Sequence, residues 1–118
     1  MIEYELLEMR SMFMNIVVLA GGLSTERDVS LITGSMVSRA LREKGHNVIM
    51  LDVFMGYQEE ETDVSDIFEH CREASVPEGV ISAKEPDLEK VRAMRKDQSD
   101  CFFGPNVISI CQAADFVF

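Results

Sequence analysis

Apolar residues fill consecutive positions from Ile16 to Ala20, and Gly21-Gly22 ends the run. A strand covered on one face alternates apolar and polar residues. An unbroken apolar run that opens on three β-branched residues instead predicts that Asn15–Ala20 is a strand covered on both faces, as in the centre of a parallel sheet. The spacing then changes. Val29, Ile32, Met36, Val37, Ala40 and Leu41 recur every 3.6 residues and predict a helix over Asp28–Lys44, with those side chains as its apolar stripe. Thr25 and Asp28 have the spacing of a capping box. Arg42 and Lys44 stand in the last turn, where cations complement the helix dipole, and Gly45 is the C′ stop. Asn47–Phe54 reads as a second apolar strand. Strand, tight turn, helix and strand make a βαβ unit, which requires a parallel sheet and favours a right-handed crossover.

Beyond Gly56 the pattern is weaker. Val64, Ile67, Phe68 and Cys71 fit a short helix. Leu88, Val91 and Met94 fit another with Pro86 as its first residue. Gly104-Pro105 is a turn, and Val107, Ile110, Cys111 and Ala114 fit a helix that Asn106 would cap. Asp115–Phe118 then reads as the opening of a third buried strand. The fold class is α/β, a parallel sheet with flanking helices. Because the sequence stops as that strand begins, the expectation is a domain over 15–118 that is incomplete at its C-terminus, the front of a longer protein. Met1–Met14 forms an N-terminal extension that holds four methionines and no clean period. Either the native start is Met12 or Met14, or Tyr4–Phe13 is a short helix packed on the domain.

A chain of 118 residues suffices for one domain. Its 21 acidic and 11 basic residues leave a net charge of −10, which argues against a nucleic-acid partner, since phosphates need a basic face. The acidity is uneven: Gly56–Asp100 holds 13 acids against 6 bases and reads as a solvated stretch. An apolar share of 47% suits a folded core rather than an acidic tail. The longest apolar run is far short of a membrane span or a signal-peptide core. Cys71, Cys101 and Cys111 have no CxxC spacing, so they read as reduced thiols of a cytoplasmic protein rather than a disulfide framework or a zinc site. His70 adjoins Cys71, but neighbours on a helix point about 100° apart and rarely share an ion. His46 has no partner within its own segment.

The informative segment runs from Val18 to Gly34: a strand end, a Gly-Gly turn, a polar loop and a helix start. Ligands of open parallel sheets gather at the carboxyl ends of the strands, and a helix start offers free N–H groups. Gly21 and Gly22 permit positive φ and close backbone approach. The segment lacks GxGxxG, and Asp52 lies about 30 residues past the glycines rather than the usual 20 or so, which argues against a nicotinamide cofactor. Glu26 is either a first-turn acid in a solvated cluster with Arg27 and Asp28 or the carboxylate that holds a ligand's ammonium group. The residues alone leave both open.

Leu19-Ala-Gly-Gly-Leu-Ser-Thr-Glu-Arg-Asp-Val-Ser-Leu31, with Gly34 three residues on, resembles the N-terminal signature of D-alanine–D-alanine ligases. Leu51-Asp52-Val53 and Ala114-Asp115-Phe-Val-Phe118 are similar to later parts of the same region, while the resemblance relies on nothing in Gly56–Asp100. The signature covers about 17 residues, and Asp28 stands where glutamate is commoner. The resemblance implies a Rossmann-like pre-ATP-grasp domain of an ATP-grasp enzyme. Such an enzyme joins two D-alanines through an acyl-phosphate, with ATP and Mg2+, for peptidoglycan synthesis in the cytoplasm. It implies that Glu26 binds and orients the amino group of the first D-alanine, and that Val29 walls the pocket for its methyl group. Ser30 and Gly34 match the motif and read as helix packing. Residues for ATP, the metal and oxyanion stabilisation belong to later parts of such a chain, so none is assigned here and this stretch by itself is expected to be inactive. The family commonly forms homodimers, and a stretch ending at an uncovered strand is expected to self-associate. Two other functions stay open: a D-alanine–D-lactate or D-alanine–D-serine ligase, or a free-standing non-enzymatic α/β binding domain.

Overall fold

A computed structural model describes residues 13–57, 67–70, 86–96 and 98–118. The N-terminal extension before Phe13, with its start site or helix, lies outside the described residues. So do Val64 and Cys71 of the expected short helix and most of the acidic stretch. Three parallel strands form one sheet in the order β2-β1-β3. β1 is Asn15–Ala20, β2 is Asn47–Asp52 and β3 is Phe116–Val117. Asn15 pairs with Asn47 and Ala20 with Asp52, so β1 and β2 end level. Ile16 and Val17 pair with Phe116 and Val117 on the other side.

The unbroken apolar run of β1 has the cause its pattern predicted: alternate residues serve two different cores. Val17, with Ile49 and Leu51 of β2, packs against Ile67, Phe68, Val107 and Ile110 on one face. Ile16, Val18 and Val48 pack against Met14, Val37 and Leu41 on the other. Helix α1, Arg27–Glu43, covers the second face. A 3-10 turn at Ile67–His70 and helix α3, Val107–Ala113, cover the first. Helix α2, Leu88–Met94, has no buried residue.

Several local expectations are corrected. The stripe assigned to α1 is only partly inward: Val29 is 47% and Met36 64% exposed, and Ala40 is exposed too. The buried positions of α1 are Gly34 and Ser38, whose small side chains let the helix lie close to the sheet. The Thr25–Asp28 capping box does not form. Glu26 is the N-cap, and no side chain caps the helix. The chain enters α1 from a turn, in which Ser24 accepts the Arg27 N–H through its carbonyl and the Glu26 N–H through its hydroxyl. Pro86 precedes α2 rather than opening it, because the Asp87 carboxylate accepts the Lys90 N–H at 3.1 Å as the N-cap. Asn106 stands at the N-cap of α3 in the left-handed region (φ 65°) and makes no cap bond. Its amide donates instead to the Tyr57 carbonyl at 2.7 Å. β3 was expected to be buried, but Phe116 and Val117 are exposed at the sheet edge. Strand β2 stops at Asp52, short of Phe54, where the chain turns.

Gly45 takes φ +95° at the end of α1, as its C′ position requires. His46 finds its partner outside its segment: the ring Nδ1 accepts the Met14 N–H at 3.0 Å, with Phe13 edge-on to the ring. No helix among the described residues is long and apolar enough to cross a membrane.

Candidate functional site

The level ends of β1 and β2 place Ala20, Gly21, Gly22 and Asp52 on one edge, and the turn at 23–26 delivers α1 beside them. Asp52 is buried, and its carboxylate organises this edge. One oxygen, Oδ1, accepts N–H groups from Gly22 (3.3 Å), Phe54 (3.0 Å) and Met55 (3.1 Å). The other, Oδ2, accepts from the Arg27 guanidinium. A second nitrogen of Arg27 donates to the Gly22 carbonyl at 2.7 Å. Gly22 is thus held at its N–H by β2 and at its C=O by α1. Gly21 donates its N–H to the Ser30 hydroxyl at 3.0 Å, so Ser30 is a loop anchor rather than the packing residue it was expected to be. Gly21 itself is irreplaceable in this arrangement. It sits at φ +73°, and a Cβ there would lie 2.7 Å from the Asp52 carboxyl carbon.

Beside this edge lies a groove of about 280 Å³ between the start of α1, strand β1 and Phe118, the residue after β3. Glu26, Val29, Ser30 and Gly34 line it from the helix, with Leu19 and Phe118 opposite. Both residues singled out from the sequence, Glu26 and Val29, therefore lie on one groove. They stand three residues apart, Glu26 at the N-cap and Val29 in the first turn of α1, a spacing that puts them on the same face. Glu26 is exposed, and among the described residues nothing hydrogen-bonds its carboxylate. Gly34, expected to serve packing, does so, with Ala20 directly opposite. A groove with one unspent carboxylate and otherwise mostly apolar walls suits a small cation with a short apolar side chain.

Sequence reasoning missed the Arg27–Asp52 pair. It took Arg27 with Glu26 and Asp28 as a solvated cluster, and it weighed Asp52 only as a ribose-binding acid. Arg27 is 13% exposed and Asp52 2% in their side chains. One signal was available: an acid closing a strand buried on both faces cannot stay charged without a partner, and Arg27 is the base next to the facing glycine turn. Farther from the groove, the buried guanidinium of Arg95 lies 4.1 Å over the Phe54 ring. It donates to the carbonyls of Phe54, Ser99, Cys101 and Phe102. This cage, together with the Gly104 N–H bond to the Val53 carbonyl, ties residues 99–104 to the segment that follows β2.

Fold and site together define an α/β domain with a groove where a strand end meets a helix start. The chain is homologous to the N-terminal region of D-alanine–D-alanine ligases. It is 40% identical over 108 residues to the D-alanine–D-alanine ligase of Lacticaseibacillus casei, an alignment covering 89% of this chain and 29% of that protein. It is 43% identical over 109 residues to that of Pediococcus pentosaceus, covering 89% and 30%. Over a shorter stretch of 40 residues it is 58% identical to that of Aquifex aeolicus, covering 34% and 14%. The chain thus spans about 30% of the length of the first two relatives. No protein-family model and no solved structure matches it.

Proposed function

We propose that residues 15–118 act as the substrate-positioning, pre-ATP-grasp domain of an ATP-dependent D-alanine–D-alanine ligase that supplies the dipeptide for peptidoglycan. The observation that carries this reading is the shared groove. Glu26 offers a carboxylate to the ammonium group of the first D-alanine, and Val29, with Gly34 and Leu19 nearby, offers an apolar wall to its methyl group. The charge-assisted contact selects an amino acid, and the apolar wall beside it suits a short apolar side chain. The names of the relatives support the same substrate.

ATP and Mg2+ belong to this reading as cofactors of the complete enzyme. Among the described residues no group of three or more His, Cys, Asp or Glu side chains comes together. In this reading the part played by residues 15–118 is to bind and orient the first D-alanine. The test is turnover by the complete gene product supplied with D-alanine, ATP and Mg2+. Formation of D-alanyl-D-alanine with matching phosphate release is expected, and its absence in folded protein would overturn the proposal.

A further inference from the structure

We propose that Arg27 and Asp52 are positioning residues for this groove: their contact, strung across Gly22, sets where the Glu26 carboxylate stands. The inference rests on the reading that the groove receives D-alanine. Glu26 immediately precedes Arg27, the first residue of α1. A guanidinium anchored on the end of β2 therefore fixes the first turn of the helix against the sheet. Ser30, one turn on, grips Gly21 from the same helix, and the Ser30 N–H donates to the Glu26 carbonyl at 2.9 Å. The Glu26 carboxylate has no hydrogen bond of its own among the described residues, so what this backbone path fixes is the point from which it reaches into the groove.

The pair's burial favours a geometric role over a stabilising one. Buried ion pairs contribute little to stability relative to well-packed apolar residues, because desolvation offsets the attraction. What this pair adds is a fixed distance among three elements: the guanidinium bridges α1, the glycine turn and β2 in a fork that an ammonium could not reproduce. Asp52 completes the arrangement by spending Oδ1 on three N–H donors and Oδ2 on Arg27.

Asp52→Asn tests this with a change of one atom. Its remaining oxygen still serves the three N–H donors, while the new amide presents a donor to the guanidinium. Arg27→Lys keeps the charge but reaches only one of the two acceptors, and Arg27→Met reaches neither. In the complete gene product, KM for D-alanine should rise about 10–100-fold in Asp52→Asn, as a reactant misplaced by a fraction of an ångström to an ångström would require. KM for ATP should stay at the wild-type value. Arg27→Lys should show a smaller rise than Arg27→Met. An unchanged D-alanine KM in folded Asp52→Asn would overturn the proposal. So would parallel losses for both substrates that track a lower urea midpoint, which mark a merely structural role. If Asp52→Asn does not fold, the Arg27 variants decide by the same criteria. A wild-type protein that makes no dipeptide sinks the functional reading and this proposal with it; an active wild type with unmoved variants sinks only the positioning role.

Discussion

Replacing Gly34 by alanine sets two known effects against each other, and the structure decides the sign. Helix propensity alone favours alanine over glycine by about 1 kcal/mol. Against this, a Cβ at Gly34 would stand 2.8 Å from the Cβ of Ala20, where ordinary contact begins near 3.4 Å. Neither atom is the flexible tip of a side chain, since Ala20 is fixed on the central strand. Relief therefore requires α1 to retreat from β1 by about 0.6 Å, and overpacking of this kind typically costs about 1–3 kcal/mol. The net expectation is a loss of about 1 kcal/mol in unfolding free energy, read from urea melts at unchanged m-value. The double variant Ala20→Gly/Gly34→Ala removes the opposing methyl group. It should be more stable than the sum of the single changes predicts, a favourable coupling in the double-mutant cycle. If Gly34→Ala is instead stabilised by about 1 kcal/mol, with no coupling to position 20, α1 does not sit on β1 at this distance. The shape derived for the groove, which Gly34 also lines, would then be wrong.

Further predictions follow from the remaining buried groups. Arg95→Met strands the four carbonyls that the guanidinium serves and should lower stability by about 2–3 kcal/mol, with faster amide exchange across residues 99–104. Unchanged exchange there would show that the cage does not hold the loop. Burial pushes the Cys111 thiol pKa up, which leaves less thiolate at a given pH, whereas Cys101 is exposed. At about pH 8, alkylation followed by peptide mapping should find Cys101 modified well before Cys111; equal rates would place Cys111 at the surface.

Much of the fold was legible because the two periods are unambiguous where they occur. The run from Asn15 to Ala20 reads as a doubly covered strand, and β1 has the predicted bounds. Local chemistry at helix starts was less legible. Thr25, Pro86 and Asn106 each carried a plausible signature, yet the backbone enters each helix by a path that puts the cap elsewhere or removes it. The stripe on α1 misled for a related reason. The fully buried positions, Gly34 and Ser38, are small, and only Val37 and Leu41 of the stripe pack on the core, so hydrophobicity marks part of the contact and misses the rest. At the site, Glu26 and Val29 were found through a local motif, but the Arg27–Asp52 pair spans 25 residues. It becomes visible only once β2 is laid beside β1 in register.

The central claim is that Glu26 meets the amino group of D-alanine in the groove. Steady-state kinetics of Glu26→Gln in the complete gene product test it most directly. Loss of one charge-assisted hydrogen bond, roughly 1.5–3 kcal/mol, should raise KM for the first D-alanine by about 10–150-fold and leave KM for ATP as it is in the wild type. A folded Glu26→Gln protein with wild-type D-alanine kinetics would remove Glu26 from the site and contradict the account.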